Sequence, residues 1–264
     1  MQPDERLTYK STPQGDLELH LFRPDVPDAG RARPAIVFFF GGGWNSGGPT
    51  QFYPHCRYLA SRGMVALAAE YRVKQRHGTS PFECVRDGKS AVRWIRAHPG
   101  ELGIDPQRVA AGGGSAGGHV AAATALCERI EEDEEDVSVS SRPDALVLFN
   151  PVFDNGPGGF GHERVKERWR DISPLHNIGP GAPPTVVFLG TEDNLVPVAT
   201  AQRYRDLMRE AGARCDLHLY DGEGHAFFNY REGNNPYYNR TVHAADRFLA
   251  SLGYLEGDPT LSAK

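Results

Sequence analysis

The sequence predicts an α/β fold, with a mostly parallel sheet covered by helices on both faces, in one domain over residues 1–264. Three observations carry that prediction. Apolar runs at 35–40, 64–69, 145–149 and 185–189 lack polar alternation, as expected of strands buried on both faces. Glycine-rich corners and helical periodicity follow several of them, which is the alternation that builds parallel sheets. The composition is that of a globular chain, 39% hydrophobic and 24% charged over 264 residues, with no internal repeat, low-complexity linker or clear boundary.

The elements follow in order. Residues 1–34 hold few large hydrophobes and read as one strand plus loops. That strand is 16–22, where Leu17, Leu19 and Leu21 alternate with polar neighbours, the pattern of a half-exposed antiparallel strand. Ala35 to Phe40 is a buried strand ended by Gly41-Gly42-Gly43, and a helix over roughly 49–62 leads to the next strand, Met64 to Ala69. Phe82, Val85, Lys89, Val92 and Ile95/Arg96 keep a helical period up to His98-Pro99-Gly100. Arg108 to Ala111 is a short strand entering Gly112-Gly113-Gly114-Ser115, and Ala116 to Leu126 reads as helix. The acidic run Glu131 to Asp136 reads as a solvated loop, because like charges repel and disfavour packing. Strands follow at Ala145–Phe149 and Thr185–Leu189. The weakly periodic stretch between them, about 35 residues, predicts a lid-like segment at about 150–180. Leu217 and Leu219 mark the last strand, and Val242 to Leu252 the closing helix.

Charge and cysteine content bound the partners. Lys+Arg 29 against Asp+Glu 34 gives a net charge of −5, which offers no electrostatic attraction for nucleic acid or an anionic membrane. No stretch approaches the ~20 apolar residues of a membrane span. Cys56, Cys84, Cys127 and Cys215 are scattered without metal-site spacing and read as reduced small hydrophobes. The first residues lack a basic and apolar leader, so the chain reads as cytoplasmic as written, with a secreted or periplasmic protein stripped of its leader as the alternative.

Gly113-Gly114-Ser115-Ala116-Gly117 fits G-x-S-x-G between a buried strand and a small-residue helix. Glycines are needed there because the serine sits on a tight, strained corner that exposes its hydroxyl. Gly112 to Gly117 also fits the dinucleotide pattern G-x-G-x-x-G. The acids about 20 residues on follow a helix rather than a strand, against that reading. The strand Thr185–Leu189 runs into Gly190-Thr191-Glu192-Asp193, and strand 215–220 runs into Asp221-Gly222-Glu223-Gly224-His225. The order Ser115, Asp193, His225 suits nucleophile, orienting acid and base, all on loops at carboxyl ends of strands. Glu192 and Asp221 are alternative acids. His218 is the competing base, but it lies mid-strand and points away from the core. His119, four residues after Ser115, reads as structural, and no metal motif such as H-E-x-x-H appears.

With Phe40-Gly41-Gly42-Gly43-Trp44 added, the chain resembles the α/β-hydrolase esterases of the acetyl esterase and hormone-sensitive-lipase-like group, including feruloyl and acetylxylan esterase-like members. The carrying motifs are the Gly-Gly-Gly-Trp loop, Gly113 to Gly118, Gly190 to Asp193, Gly222 to His225, Tyr71-Arg72 and Gly103-Ile104-Asp105-Pro106, spanning about residues 17 to 252. The resemblance implies backbone donors to an oxyanion at Gly42, Gly43 and Ala116, and action on acetyl or feruloyl esters without a cofactor. Phe40 departs from the family pattern by standing where histidine is usual, so the loop must be held by other means, such as ring packing. Trp44, Phe153, Phe160 and Trp169 are expected walls of a substrate pocket. Arg164, Lys166, Arg168 and Arg170 read as a solvated face, with contact to an acidic sugar as the alternative. The reading is a serine carboxylesterase acting on a small-molecule or carbohydrate ester. An amide hydrolase of the same fold, a nucleotide-binding module and an inactive hydrolase-like binding protein remain as alternatives.

Overall fold

The computed structural model describes residues 1–25, 30–133 and 135–263. Its strands are β1 (Glu5–Thr12), β2 (Gly15–Phe22), β3 (Arg33–Phe39), β4 (Val65–Ala69), β5 (Ile104–Gly114), β6 (Ala145–Phe149), β7 (Thr185–Gly190) and β8 (Cys215–Tyr220). They form one eight-stranded sheet in the order β1-β2-β4-β3-β5-β6-β7-β8. From β4 to β8 neighbouring strands are parallel, and β1 and β2 extend one side antiparallel. The helices are α1 (Tyr53–Ser61), α2 (Lys74–His77), α3 (Pro81–Ala97), α4 (Pro99–Leu102), α5 (Ala116–Leu126), α6 (His162–Val165), α7 (Val198–Glu210) and α8 (Pro236–Ser251).

Alternate side chains of each central strand enter different cores, because successive Cβ atoms point to opposite faces. Val37 and Phe39 of β3 pack in the cluster shared with α3, α5 and α7, whereas Ile36 and Phe38 pack in the cluster shared with α1 and α8. Every residue of α5 is buried, and its run of Ala and Gly lets the helix lie close against the sheet. At the start of α3, Ser80 and Glu83 form a reciprocal capping box, with the Ser80 N–H donating to Glu83 Oε2 at 2.8 Å.

Several sequence expectations need correction. The segment before β3 carries two strands, not one: β1 alternates Leu7 and Tyr9 inward along an outer edge. Strand 16–22 is not half-exposed, since its last four residues are buried on both faces between β1 and β4. Helix α7 carries too weak a periodic signal to stand out in the sequence, because only Ala201, Tyr204 and Met208 of its thirteen residues are buried. The closing helix begins at Pro236, six residues before Val242. The acidic run is not simply solvated, although Glu134 lies outside the described residues. Glu131 pairs with Lys89 at 2.6 Å and Arg93 at 2.8 Å, Glu132 pairs with Lys10 and Arg72, and Glu135 pairs with Arg93. Of those cations Arg72, Lys89 and Arg93 are buried and Lys10 is partly buried, so the carboxylates fold back to neutralise them.

The four cysteines are free and buried. No described helix is long and apolar enough to cross a membrane.

His55 of α1 is boxed by Phe38, Phe52, Phe149, Phe228 and Tyr238, and neither ring nitrogen has a hydrogen-bond partner. Burial pushes its pKa down to about 3, from an ordinary 6.5. The unfolded chain therefore binds a proton that the folded chain refuses, and stability is full above 6.5 and falls as pH drops toward 3. We expect Tm to decline on acidification below pH 6.5, and His55→Phe to flatten that decline, as read by circular dichroism at a series of pH values. An unchanged slope in the variant would assign the acid loss to other groups.

Candidate active site

Ser115 occupies the corner between β5 and α5 with φ of 54° and ψ of −119°. A side chain with a Cβ meets steric resistance in that region, so the corner persists only because its surroundings fix it. The Ser115 N–H donates to Phe149 O at 2.9 Å, and its carbonyl accepts from His119 N–H at 3.0 Å. Gly117 cannot be replaced cheaply, since a Cβ there would lie 2.0 Å from Phe39 O. The corner thus rests directly on the end of β3.

Three loops at the carboxyl ends of β5, β7 and β8 bring Ser115, Asp193 and His225 together. His225 Nε2 lies 2.9 Å from Ser115 Oγ, and His225 Nδ1 lies 2.8 Å from Asp193 Oδ2. The second carboxylate oxygen of Asp193 accepts from the Leu195 and Val196 N–H groups at 2.8 and 2.9 Å. Burial alone would raise the Asp193 pKa, but the hydrogen bonds from His225, Val196 and Leu195 outweigh it and hold the carboxyl below its ordinary value. With Nδ1–H donating to that carboxylate, Nε2 presents its lone pair to the Ser115 hydroxyl. Glu192 and Asp221 are exposed and neither bonds His225. His218 packs its ring against Phe188 and makes no hydrogen bond to Ser115 or Asp193.

The glycine loop lies beside the hydroxyl. Gly42 has φ of 126° and Gly43 φ of 60°, and a Cβ on Gly42 would stand 2.2 Å from Ser46 O. Among the described residues the N–H groups of Gly42, Gly43 and Ala116 have no acceptor within the protein. Phe40 is held by its ring, stacked on Tyr71 at 4.1 Å, while the Tyr71 hydroxyl donates to Phe40 O at 2.5 Å. Ring packing and one buried phenol therefore secure the loop.

His119 is fully buried and joins three parts of the site. Its Nδ1 accepts from Trp44 Nε1–H at 3.2 Å, and its Nε2–H faces Asn155 Oδ1 at 2.9 Å and Ile172 O at 2.8 Å. Burial pushes its pKa down to about 4, which keeps it neutral, and the two acceptors at Nε2 fix the tautomer.

The expected pocket walls divide. Phe160 borders a cleft of about 360 Å³ with Val152, Leu195, Val196 and Pro197, whose lining includes neither Ser115 nor His225, and Phe153 at its back is fully buried and stacked on Tyr204. Trp44 is 1% exposed and stands behind Phe160, with ring centroids 5.5 Å apart. Trp169 is not a wall: it packs into a core with Phe82, Val85, Ala123 and Ile172, away from the cleft. The same packing ties the 150–180 segment to the core beside α3 and α5. Of its cations, Arg164 donates to Gly43 O, while Arg168 and Arg170 stack on Phe82 and Trp169; Lys166 is exposed.

The BD-FAE family model matches residues 19–155, more than half of the chain. The chain belongs to the BD-FAE family. The dienelactone hydrolase family model matches residues 167–253. Esterase 2 of Thermogutta terrifontis has the same α/β architecture, with a TM-score of 0.92, 46% identity and 96% of each chain covered. Solved forms of that esterase include one phosphorylated by paraoxon and others with propionate or butyrate bound. A probable carboxylic ester hydrolase of Mycobacterium tuberculosis is 33% identical over 71% of this chain and 47% of its own. The acetylxylan esterase of Xylanibacter ruminicola is 27% identical over 86% of this chain and 47% of its own. The chain spans about half the length of the curated relatives it matches.

Asn150, a residue without a motif in the sequence, stands beside His225 with no exposure and φ of 35°. Its Oδ1 accepts from Ala226 N–H at 3.1 Å, and its Nδ2 lies 3.3 Å from His225 Nε2. Its only signal in the sequence is a polar residue directly after a buried strand. Asn150→Gly keeps a backbone that tolerates positive φ and deletes the amide. We expect kcat on an ester substrate to fall about tenfold, the loss of roughly one hydrogen bond to His225 and its loop, with KM nearly unchanged. Steady-state kinetics check this, and unchanged kcat would remove Asn150 from the positioning of His225.

Proposed function

We propose that the chain is a serine carboxylesterase for short-chain acyl esters, with Ser115 as nucleophile, His225 as general base and Asp193 as its orienting acid. What carries the reading is the continuous hydrogen-bonded line from Asp193 through His225 to a serine held at positive φ. In this mechanism Ser115 Oγ attacks the ester carbonyl as His225 Nε2 takes its proton. The carbonyl oxygen becomes an oxyanion facing the N–H groups of Gly42, Gly43 and Ala116, where one well-placed donor is worth about 3 kcal/mol. Collapse of the tetrahedral intermediate expels the alcohol, to which His225 returns the proton, leaving an acyl-serine. Water, deprotonated by His225, repeats the sequence and releases the acid. The steps draw only on this chain's groups and water.

The propionate and butyrate forms of the Thermogutta esterase and the acetylxylan esterase relative support a short acyl group. Each CH₂ of a longer acyl chain left in water forfeits ~0.8 kcal/mol. Two outcomes are expected. Ser115→Ala should lose at least ~99.9% of turnover on p-nitrophenyl acetate, given what removal of a triad nucleophile costs, and should no longer be labelled by a fluorophosphonate. Retained labelling, mapped by peptide analysis, would move the nucleophile elsewhere. In a p-nitrophenyl ester series, kcat/KM should peak at C2 to C4 and drop about tenfold by C8, which requires only ~1.4 kcal/mol of lost differential binding. A maximum at C8 or beyond would overturn the short-acyl reading.

A further inference from the structure

On the antiparallel side of the sheet, β2 places Glu18 and His20 two residues apart on one face. The adjoining chain after β4 places Glu70 beside them, its N–H donating to Glu18 O at 2.9 Å. His20 is 4% exposed. Its Nδ1 lies 2.5 Å from the Tyr53 hydroxyl, and its Nε2 is buried without a hydrogen-bond partner. That orphaned nitrogen points between two carboxylates, 3.7 Å from Glu18 Oε2 and 3.9 Å from Glu70 Oε1. Both separations are too long for hydrogen bonds. They suit two ligands of one ion, because bonds of ~2.0–2.2 Å at tetrahedral or wider angles put donor atoms about 3.4–4 Å apart.

We propose that Glu18, His20 and Glu70 form a binding site for a divalent transition-metal ion of the zinc class. Among the described residues these are the only three such side chains whose ligand atoms lie within 4.8 Å of one another. With Nδ1–H donating to the phenol oxygen, Nε2 carries a lone pair facing two anions, an arrangement that a cation relieves. Two carboxylates and a neutral imidazole exactly balance a divalent charge, and the imidazole selects zinc, cobalt or nickel over calcium or magnesium. Tyr53 acts as the outer partner that fixes the ring. Glu18 and Glu70 are about one-third exposed, which leaves room for entry and for a water as fourth ligand. Arg6, opposite His20 in the strand register, is the competing cation, with its NH1 3.6 Å from Glu18 Oε2. Its side chain is 53% exposed and can swing out to admit the ion. A bound ion would join β2 to the end of β4 and so tie the antiparallel edge to the parallel body.

The test uses the full chain, untagged, treated with chelator and dialysed against cobalt. One equivalent of cobalt per chain is expected, with visible d–d absorption of a four-coordinate site. Zinc at a hundredfold excess over its Kd should raise Tm on the order of 5 °C. Glu18→Gln and Glu70→Gln should each weaken binding at least tenfold, and Arg6→Gln should tighten it by removing the competitor. His20→Gln disturbs a buried position, so the two glutamate variants and Arg6→Gln carry the test. Cobalt bound equally by the Glu18→Gln/Glu70→Gln double variant, or a Tm indifferent to zinc, would overturn the proposal.

Discussion

The backbone at Ser115 sets the terms for everything around it. A serine at φ 54° costs of order 1–3 kcal/mol, and the fold meets that cost with close packing on every side. Gly117 lies against the end of β3, Ser115 N–H is tied to Phe149 of β6, and α5 begins at once with small residues that let the sheet approach. The strain has a direction: it turns the hydroxyl outward and leaves the Ala116 N–H at the open end of a helix. A looser corner would relax into an ordinary turn and bury both groups. The parallel sheet is the frame that holds this one residue in place, and Asn150 and Ala226, also at positive φ, repeat the device on the neighbouring loops.

What the sequence made legible followed from local signals. The buried strands β3, β4, β6 and β7 are unbroken apolar runs, and the three site loops carry glycines beside the residue that matters. Those features are written in consecutive residues. The missed pieces depend on distant ones. β1 is an edge strand whose weak alternation gains meaning only when β2 lies beside it. Helix α7 buries three side chains, too few to stand out from its polar surroundings. Asn150 takes its place from Ala226 and His225, far along the chain. Trp169 looked like a pocket wall because aromatic residues in a long connection suggest one, yet the core under α3 and α5 claimed it.

The acidic run shows the same limit from the other side. Six successive acids suggest repulsion and solvent. Lys10, Arg72, Lys89 and Arg93, from β1, the segment after β4 and α3, have no visible connection to them in the sequence, yet their buried or half-buried charges are met by three of those acids. Asp87, fully buried, completes the cluster through Arg72 and Lys10. Here a loop that composition would discard closes the charge balance of an interior.

His119 has a consequence for how this chain can change. One neutral imidazole ties the Trp44 loop, helix α5 and the segment bearing Phe153 and Phe160. A substitution that moves Asn155 or Ile172 also tugs, through that ring, on the loop carrying Gly42 and Gly43. The three segments are therefore not free to drift independently. Substitutions on one arm will carry epistatic penalties on the others, relieved by a second change along the same three-way joint.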